Sequence, residues 1–174
     1  MSVVICGLPR SGKTTIGKAL AKALQWDFID TDQLIEKAYG NTLSCKEIFL
    51  QEGGFFFRTF ECKQILSLKA SKSVIAIGGG SLIDTKCAAH ISTLGPVIYL
   101  KISENRLLER FLQHEIPAYL DPTSIELSLQ KLYKDRTPLY EKAAHVTIEV
   151  TDRTVDQIVA LCFQPIFKKI KDSF

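Results

Sequence analysis

Apolar residues run unbroken through Val3-Val4-Ile5-Cys6, and three of these four are β-branched. A short continuous run of this kind reads as a strand buried on both faces. Residues 7–12 read as a turn. From Lys13 the period changes, and Ile16, Ala19, Leu20, Ala23 and Leu24 share one face of a helix. Further strands are expected at 27–30, 73–77, 96–102 and 146–150. Helical spacing recurs at 31–39, 46–51, 56–70 and 105–112, and from about 154, with Pro165 placed to kink the last helix. Thr123-Ser124-Ile125-Glu126 has the signature of a capping box and opens a helix to about 135. Residues 114–122 contain two prolines and no period, and read as a mobile loop or lid. Strands alternating with helices predict an α/β chain with a parallel sheet covered on both faces.

The chain has 174 residues, enough for one domain, and shows no internal repeat. It is 46% hydrophobic and 24% charged, which excludes a coiled coil, a collagen or a disordered tail. A net charge of +3 does not call for nucleic acid or membrane as a partner. Cys6, Cys45, Cys62, Cys87 and Cys162 are odd in number, widely spaced and free of any C-x-x-C. That argues against a disulfide framework or zinc site and for buried thiols in a reducing cytosol. His90, His114 and His145 have no metal spacing and read as surface or capping residues. No secretory signal or membrane-length apolar run is expected.

Gly7-Leu8-Pro9-Arg10-Ser11-Gly12-Lys13-Thr14 fits G-x-x-x-x-G-K-[ST] between an expected strand and an expected helix. Glycines let backbone N–H groups turn inward around a phosphate chain, and the helix N-terminus adds positive potential. Lys13 reaches the β- and γ-phosphates, and the Thr14 hydroxyl is suited to ligating Mg²⁺. Asp30-Thr31-Asp32 ends the second strand, where ligands collect in open parallel sheets. One carboxylate can face a metal and the other a second substrate, although helix capping would also explain the pair. Arg58 and Glu61 lie i, i+3 on one helix, either as a surface pair or as an arginine fork held for a carboxylate. Phe57 and Phe49 are candidate pocket walls or plain core. Gly78-Gly79-Gly80 follows a strand and reads as a flexible turn or as bare backbone closely approached by a ligand. Arg136, in R-T-P-L-Y after a helix, suits an anionic substrate or the helix dipole.

Together these segments resemble the shikimate kinase family, small P-loop kinases of the nucleoside-monophosphate-kinase structural group. The likeness runs from the P-loop to the last helix and rests on F-I-D-T-D-Q-L-I at 28–35, F-R-T-F-E at 57–61, G-G-G at 78–80 and R-T-P-L-Y at 136–140. It implies that Asp30 helps hold Mg²⁺ with Thr14, and that Asp32 binds the substrate hydroxyls. Phe57, Arg58, Gly79, Gly80 and Arg136 then bind shikimate. Pro9, Arg10, Ser11, Gly12, Lys13, Thr14 and Thr15 hold the nucleotide, with Arg110 and Arg153 contacting it. Lys13, Asp32 and Arg136 are the catalytic set. The chain departs from the family at Arg10, where a further glycine is usual, and at Gly53-Gly54, where Gly-Glu is usual. Its lid lacks the family's R-P-L arginine, which leaves a slower enzyme or recruitment of Arg10 as alternatives.

The expected architecture is a three-layer α/β/α sandwich with a five-stranded parallel sheet. It forms a single P-loop kinase domain over 1–174, with substrate-binding helices about 31–70 and a lid about 112–123. The expected function is ATP-dependent phosphorylation of the shikimate 3-hydroxyl with Mg²⁺, by a cytoplasmic monomer without nucleic-acid or membrane partners. A gluconate-type kinase and a degenerate nucleotide-binding module are the alternatives.

Overall fold

The structure, a computed structural model, describes residues 1–113 and 120–171. The lid expected around 112–123 thus falls largely outside the described residues. Five parallel strands form one sheet in the order β2-β3-β1-β4-β5. They are β1 (Val3–Cys6), β2 (Asp27–Asp30), β3 (Ser73–Ala76), β4 (Val97–Lys101) and β5 (Val146–Glu149). The unbroken apolar runs occupy the middle of the sheet. Every residue of β1 and β3 is buried, whereas edge strand β2 has no fully buried residue and edge strand β5 buries only Ile148. This burial on both faces is the reason the runs do not alternate.

Seven α-helices are present among the described residues: α1 (Lys13–Leu24), α2 (Thr31–Ala38), α3 (Cys45–Leu66), α4 (Thr85–Leu94), α5 (Glu104–Leu112), α6 (Ile125–Ala143) and α7 (Val155–Lys171). Helix α1 packs on α7 and β3, and α3 packs on α4. The expected gap between 51 and 56 is a kink within α3, where Gly53 takes φ 83°. A smaller cluster of Ile35, Ile48 and Phe57 joins α2 to α3 apart from the main core. These two helices form an arm with its own apolar centre.

Four expectations are corrected. Helix α4 is absent from the sequence reading; Asp84 starts it by accepting from the Lys86 and Cys87 backbone N–H groups, and Cys87 and Ile91 bury its inner face. The capping box at 123–126 does not form. Asp121 instead accepts from the Thr123 backbone and from the Thr123 and Ser124 hydroxyls, making a 3₁₀ turn before α6. R-T-P-L-Y does not follow a helix but lies inside α6, which runs through Pro138. Its buried Leu129, Leu132 and Tyr140 carry the helix on. Finally, Cys62 and Cys87 are disulfide-bonded across α3 and α4. Helix packing sets that pairing, and sequence spacing does not show it. Of the free thiols, Cys6 and Cys162 are buried, while Cys45 is half-buried.

Candidate active site

Loops leaving the carboxyl ends of β1, β2 and β3 converge on a cavity of about 680 Å³. Strand order dictates this: β1 continues into the glycine-rich loop, β2 into Asp30 and Asp32, and β3, lying between them, into Gly78–Gly80.

At the first wall, Gly12 sits just before α1 with φ 99°. No side chain caps α1, and its first turn holds no acidic residue, so its N–H groups remain available to an anion. Lys13 is half-buried and folds back on the loop, donating to the carbonyls of Gly7 at 3.0 Å and Leu8 at 2.9 Å. Burial lowers its pKa, and the nearby Asp32 and Asp30 carboxylates partly offset that. Pro9, Arg10, Thr14 and Thr15 line the cavity, whereas Ser11 is buried behind them.

At the second wall, Asp30 takes the helix-capping role and also meets the P-loop helix. One carboxylate oxygen caps α2 by accepting from Asp32 N at 3.1 Å, and the other accepts from the Thr14 hydroxyl at 2.9 Å. Thr31 turns away from the cavity, and its hydroxyl accepts from the Gly78 N–H at 2.9 Å. Asp32 faces the cleft. Desolvation by the surrounding walls raises its pKa from 3.8 to about 6, against the opposing pull of Lys13 and with further raising by Asp30, Glu61 and Glu36.

At the third wall, Glu61 is 3% exposed. It ion-pairs with Arg58 one turn back, and its other oxygen accepts from Ser81 at 2.8 Å. Arg58 also lies 5.2 Å from the centre of the Phe57 ring, which packs edge-on against Phe49. The pair is therefore not a loose surface bridge but a guanidinium held from two sides at the wall of the cavity. On the opposite side, Arg136 of α6 donates to the Gly79 carbonyl at 2.7 Å, and Tyr140 donates to the same oxygen at 2.6 Å.

The glycine triplet is accounted for by this crowding. A Cβ at Gly78 would meet Asp32 and Glu61 carboxylate oxygens at 2.8 Å each. At Gly79 it would meet Pro9 at 3.1 Å, and at Gly80 the Arg58 guanidinium at 2.1 Å. The segment is a close-approach site rather than a slack turn, and it is protein side chains that approach it.

Arg110 reaches the cavity from α5 and donates to the Arg10 carbonyl at 2.7 Å. Arg153 lies in the turn after β5, donates to the Glu149 carbonyl at 3.1 Å, and does not line the cavity. Cys45, Lys46 and Arg106 also line it, and the sequence reading passed over all three. Cys45 donates through Sγ to the Asp32 carbonyl at 3.4 Å, and burial raises its pKa, so it stays a thiol. The sequence carried no signal for it, because the helix it starts was expected to end before the one carrying Arg58. No metal-ligating cluster includes a histidine among the described residues. His90 contacts the Leu68 carbonyl and His145 accepts from the Val97 N–H. His114 lies outside the described residues.

An uncapped helix behind a glycine-rich loop, a lysine at its start and an arginine-lined chamber beside it define a P-loop phosphotransferase acting on a small acceptor. The model of the shikimate kinase family matches residues 9–167. A shikimate kinase of Clostridium botulinum is 38% identical over 82% of this chain and 84% of its own length. One of Bacillus cereus is 34% identical over 91% and 93%. The solved shikimate kinase of Acinetobacter baumannii in complex with shikimate superposes with a TM-score of 0.88 at 31% identity, covering 97% of this chain and 93% of that one. The chain belongs to the shikimate kinase family.

Proposed function

We infer that this protein transfers the γ-phosphoryl group of ATP to the 3-hydroxyl of shikimate, giving shikimate 3-phosphate and ADP. The observation that carries this reading is Arg58. It is fixed by buried Glu61, fitted against Gly80 and aimed into the cavity that the P-loop also lines. A rigid guanidinium suits a carboxylate, and shikimate carries one.

Phosphoryl transfer asks the protein for positioning and charge neutralisation. In this reading Pro9, Arg10, Ser11, Gly12, Lys13, Thr14 and Thr15 surround the phosphates, and Lys13 exchanges its bonds to the loop carbonyls for phosphate oxygens. Arg110 and Arg153 contact the nucleotide farther out. Phe57 walls the acceptor chamber, and Arg58 and Arg136 clamp the acceptor carboxylate above Gly79 and Gly80. Asp32 orients the attacking hydroxyl and takes its proton late, as general base. The Thr14 hydroxyl and Asp30 carboxylate are adjacent hard oxygen donors facing the cavity, a set that fits Mg²⁺. When bound there, the ion would neutralise phosphate charge. In this reading the enzyme acts as a monomer in the cytoplasm.

The test is ADP release from Mg·ATP with shikimate, against gluconate, AMP and no acceptor. Shikimate-dependent release abolished by Lys13→Ala is expected. Equal release with gluconate would discard the acceptor assignment, and ATP binding without turnover would mark a degenerate module.

A further inference from the structure

Arg10 stands at the tip of the P-loop with φ 63°, in the left-handed region that L side chains rarely adopt. A non-glycine residue persists in such a conformation when its surroundings hold it there. Among the described residues, two contacts from the end of α5 do so. The Arg10 carbonyl accepts from Arg110 Nη1 at 2.7 Å. The Arg10 guanidinium lies 5.3 Å from the centre of the Phe111 ring. Phe111 is fully buried in the main core, so it is a fixed platform rather than a surface ring. Adjacent residues of one helix thus grip the backbone and the side chain of one loop residue. Burial and the neighbouring Arg106 both lower the Arg110 pKa.

We propose that Arg10 is a positioning residue that latches the P-loop to α5, so that the loop is held in its phosphate-receiving shape before nucleotide arrives. The side chain acts through Phe111, and only the backbone of Arg10 borders the phosphates. This rests on the reading of the P-loop as the nucleotide site. A pre-set loop avoids ordering its backbone on binding. A cation–π contact on a buried ring corresponds to about three- to tenfold in an equilibrium. Losing the latch therefore weakens every nucleotide sharing the loop by that factor.

The test compares Arg10→Ala, Arg10→Gly and Arg10→Lys with the parent chain. It uses direct titration with ATP and with ADP, thermal melting, and amide exchange across residues 7–15 and 104–112. Expected results are a three- to tenfold weaker Kd for ATP and ADP alike in the Ala and Gly variants, partial recovery in Lys, and faster exchange in both segments. Arg10→Gly relieves the left-handed backbone, so it should melt no lower than the parent while still binding more weakly. A purely structural role would not separate the two readouts. Parent-like affinity in Arg10→Gly overturns the latch. A loss confined to ATP also overturns it and assigns Arg10 to the γ-phosphate directly. The binding and exchange measurements need no acceptor, so failure of shikimate as substrate leaves this test intact.

Discussion

Replacing Gly80 with alanine probes the acceptor chamber with one methyl group. The added Cβ would lie 2.1 Å from Arg58 Nη1, 2.4 Å from Cζ and 2.8 Å from Nη2. Restoring van der Waals distance demands that the guanidinium retreat by more than about 1 Å. All three atoms are the far end of a flexible side chain, so the backbone need not follow and the fold survives. The ion pair with Glu61 is strained but not lost, and Ser81 still donates to that buried carboxylate. We expect a stability loss of about 1–2 kcal/mol. The effect on function is larger. A misplacement of about 1 Å in a positioning group corresponds to roughly 10²-fold in rate, or about 2.7 kcal/mol. With ATP saturating, kcat/KM for shikimate should fall by about that factor while KM for ATP holds. Gly79→Ala is the internal comparison, because its Cβ meets Pro9 of the P-loop at 3.1 Å and should raise KM for ATP as well, which Gly80→Ala should not. An unchanged kcat/KM for shikimate in Gly80→Ala would refute Arg58 as the acceptor clamp.

Three further outcomes are expected. Asp32 titrates at about 6 rather than 3.8 and acts as its carboxylate, so kcat/KM for shikimate should fall tenfold per pH unit below about pH 6 and level off above it. Asp32→Asn should lower the plateau by about 10²–10⁴ with ATP affinity intact, and an acid limb near pH 4 in the parent would contradict the shift. Cys62→Ser opens a cross-link spanning 25 residues, and denaturant titration should show a loss of about 3 kcal/mol in the chain-entropy account. Gly12→Ala forces a side chain into φ 99° at the start of α1, and calorimetry with ATP should show both a lower Tm and weakened binding.

The site was legible where chemistry and spacing coincide within one segment. The P-loop announces itself because strand, glycines, lysine and helix are consecutive. Arg58 and Glu61 are one helical turn apart, so their pairing follows from period alone. Where two segments meet, the sequence left alternatives. Nothing local tells that the Gly78 N–H serves Thr31, or that the triplet lacks Cβ atoms to admit Arg58, Glu61 and Asp32. The helix beginning at Thr85 was hidden behind the glycines, although Asp84 is an ordinary N-cap. Thr123 and Ser124 misled because Asp121, just upstream, takes both hydroxyls. The disulfide and the Arg10–Phe111 contact join residues far apart in sequence, and no pattern of spacing encodes them.

The order of strands also has a bearing on biosynthesis. Strand β2 is hydrogen-bonded only to β3, and β3 alone joins it to β1. When the first thirty-odd residues have left the ribosome, the lysine loop and the two aspartates exist but have no common frame. They acquire one only when β3 inserts between them, bringing the glycines against which Arg58 and Asp32 are then fitted. A nascent chain cut short before β3 would carry the lysine loop, the two aspartates and Arg58 without the strand that frames them. Assembly of the cleft in this protein therefore waits first for β3 and then for α6, which brings Arg136 onto the Gly79 carbonyl.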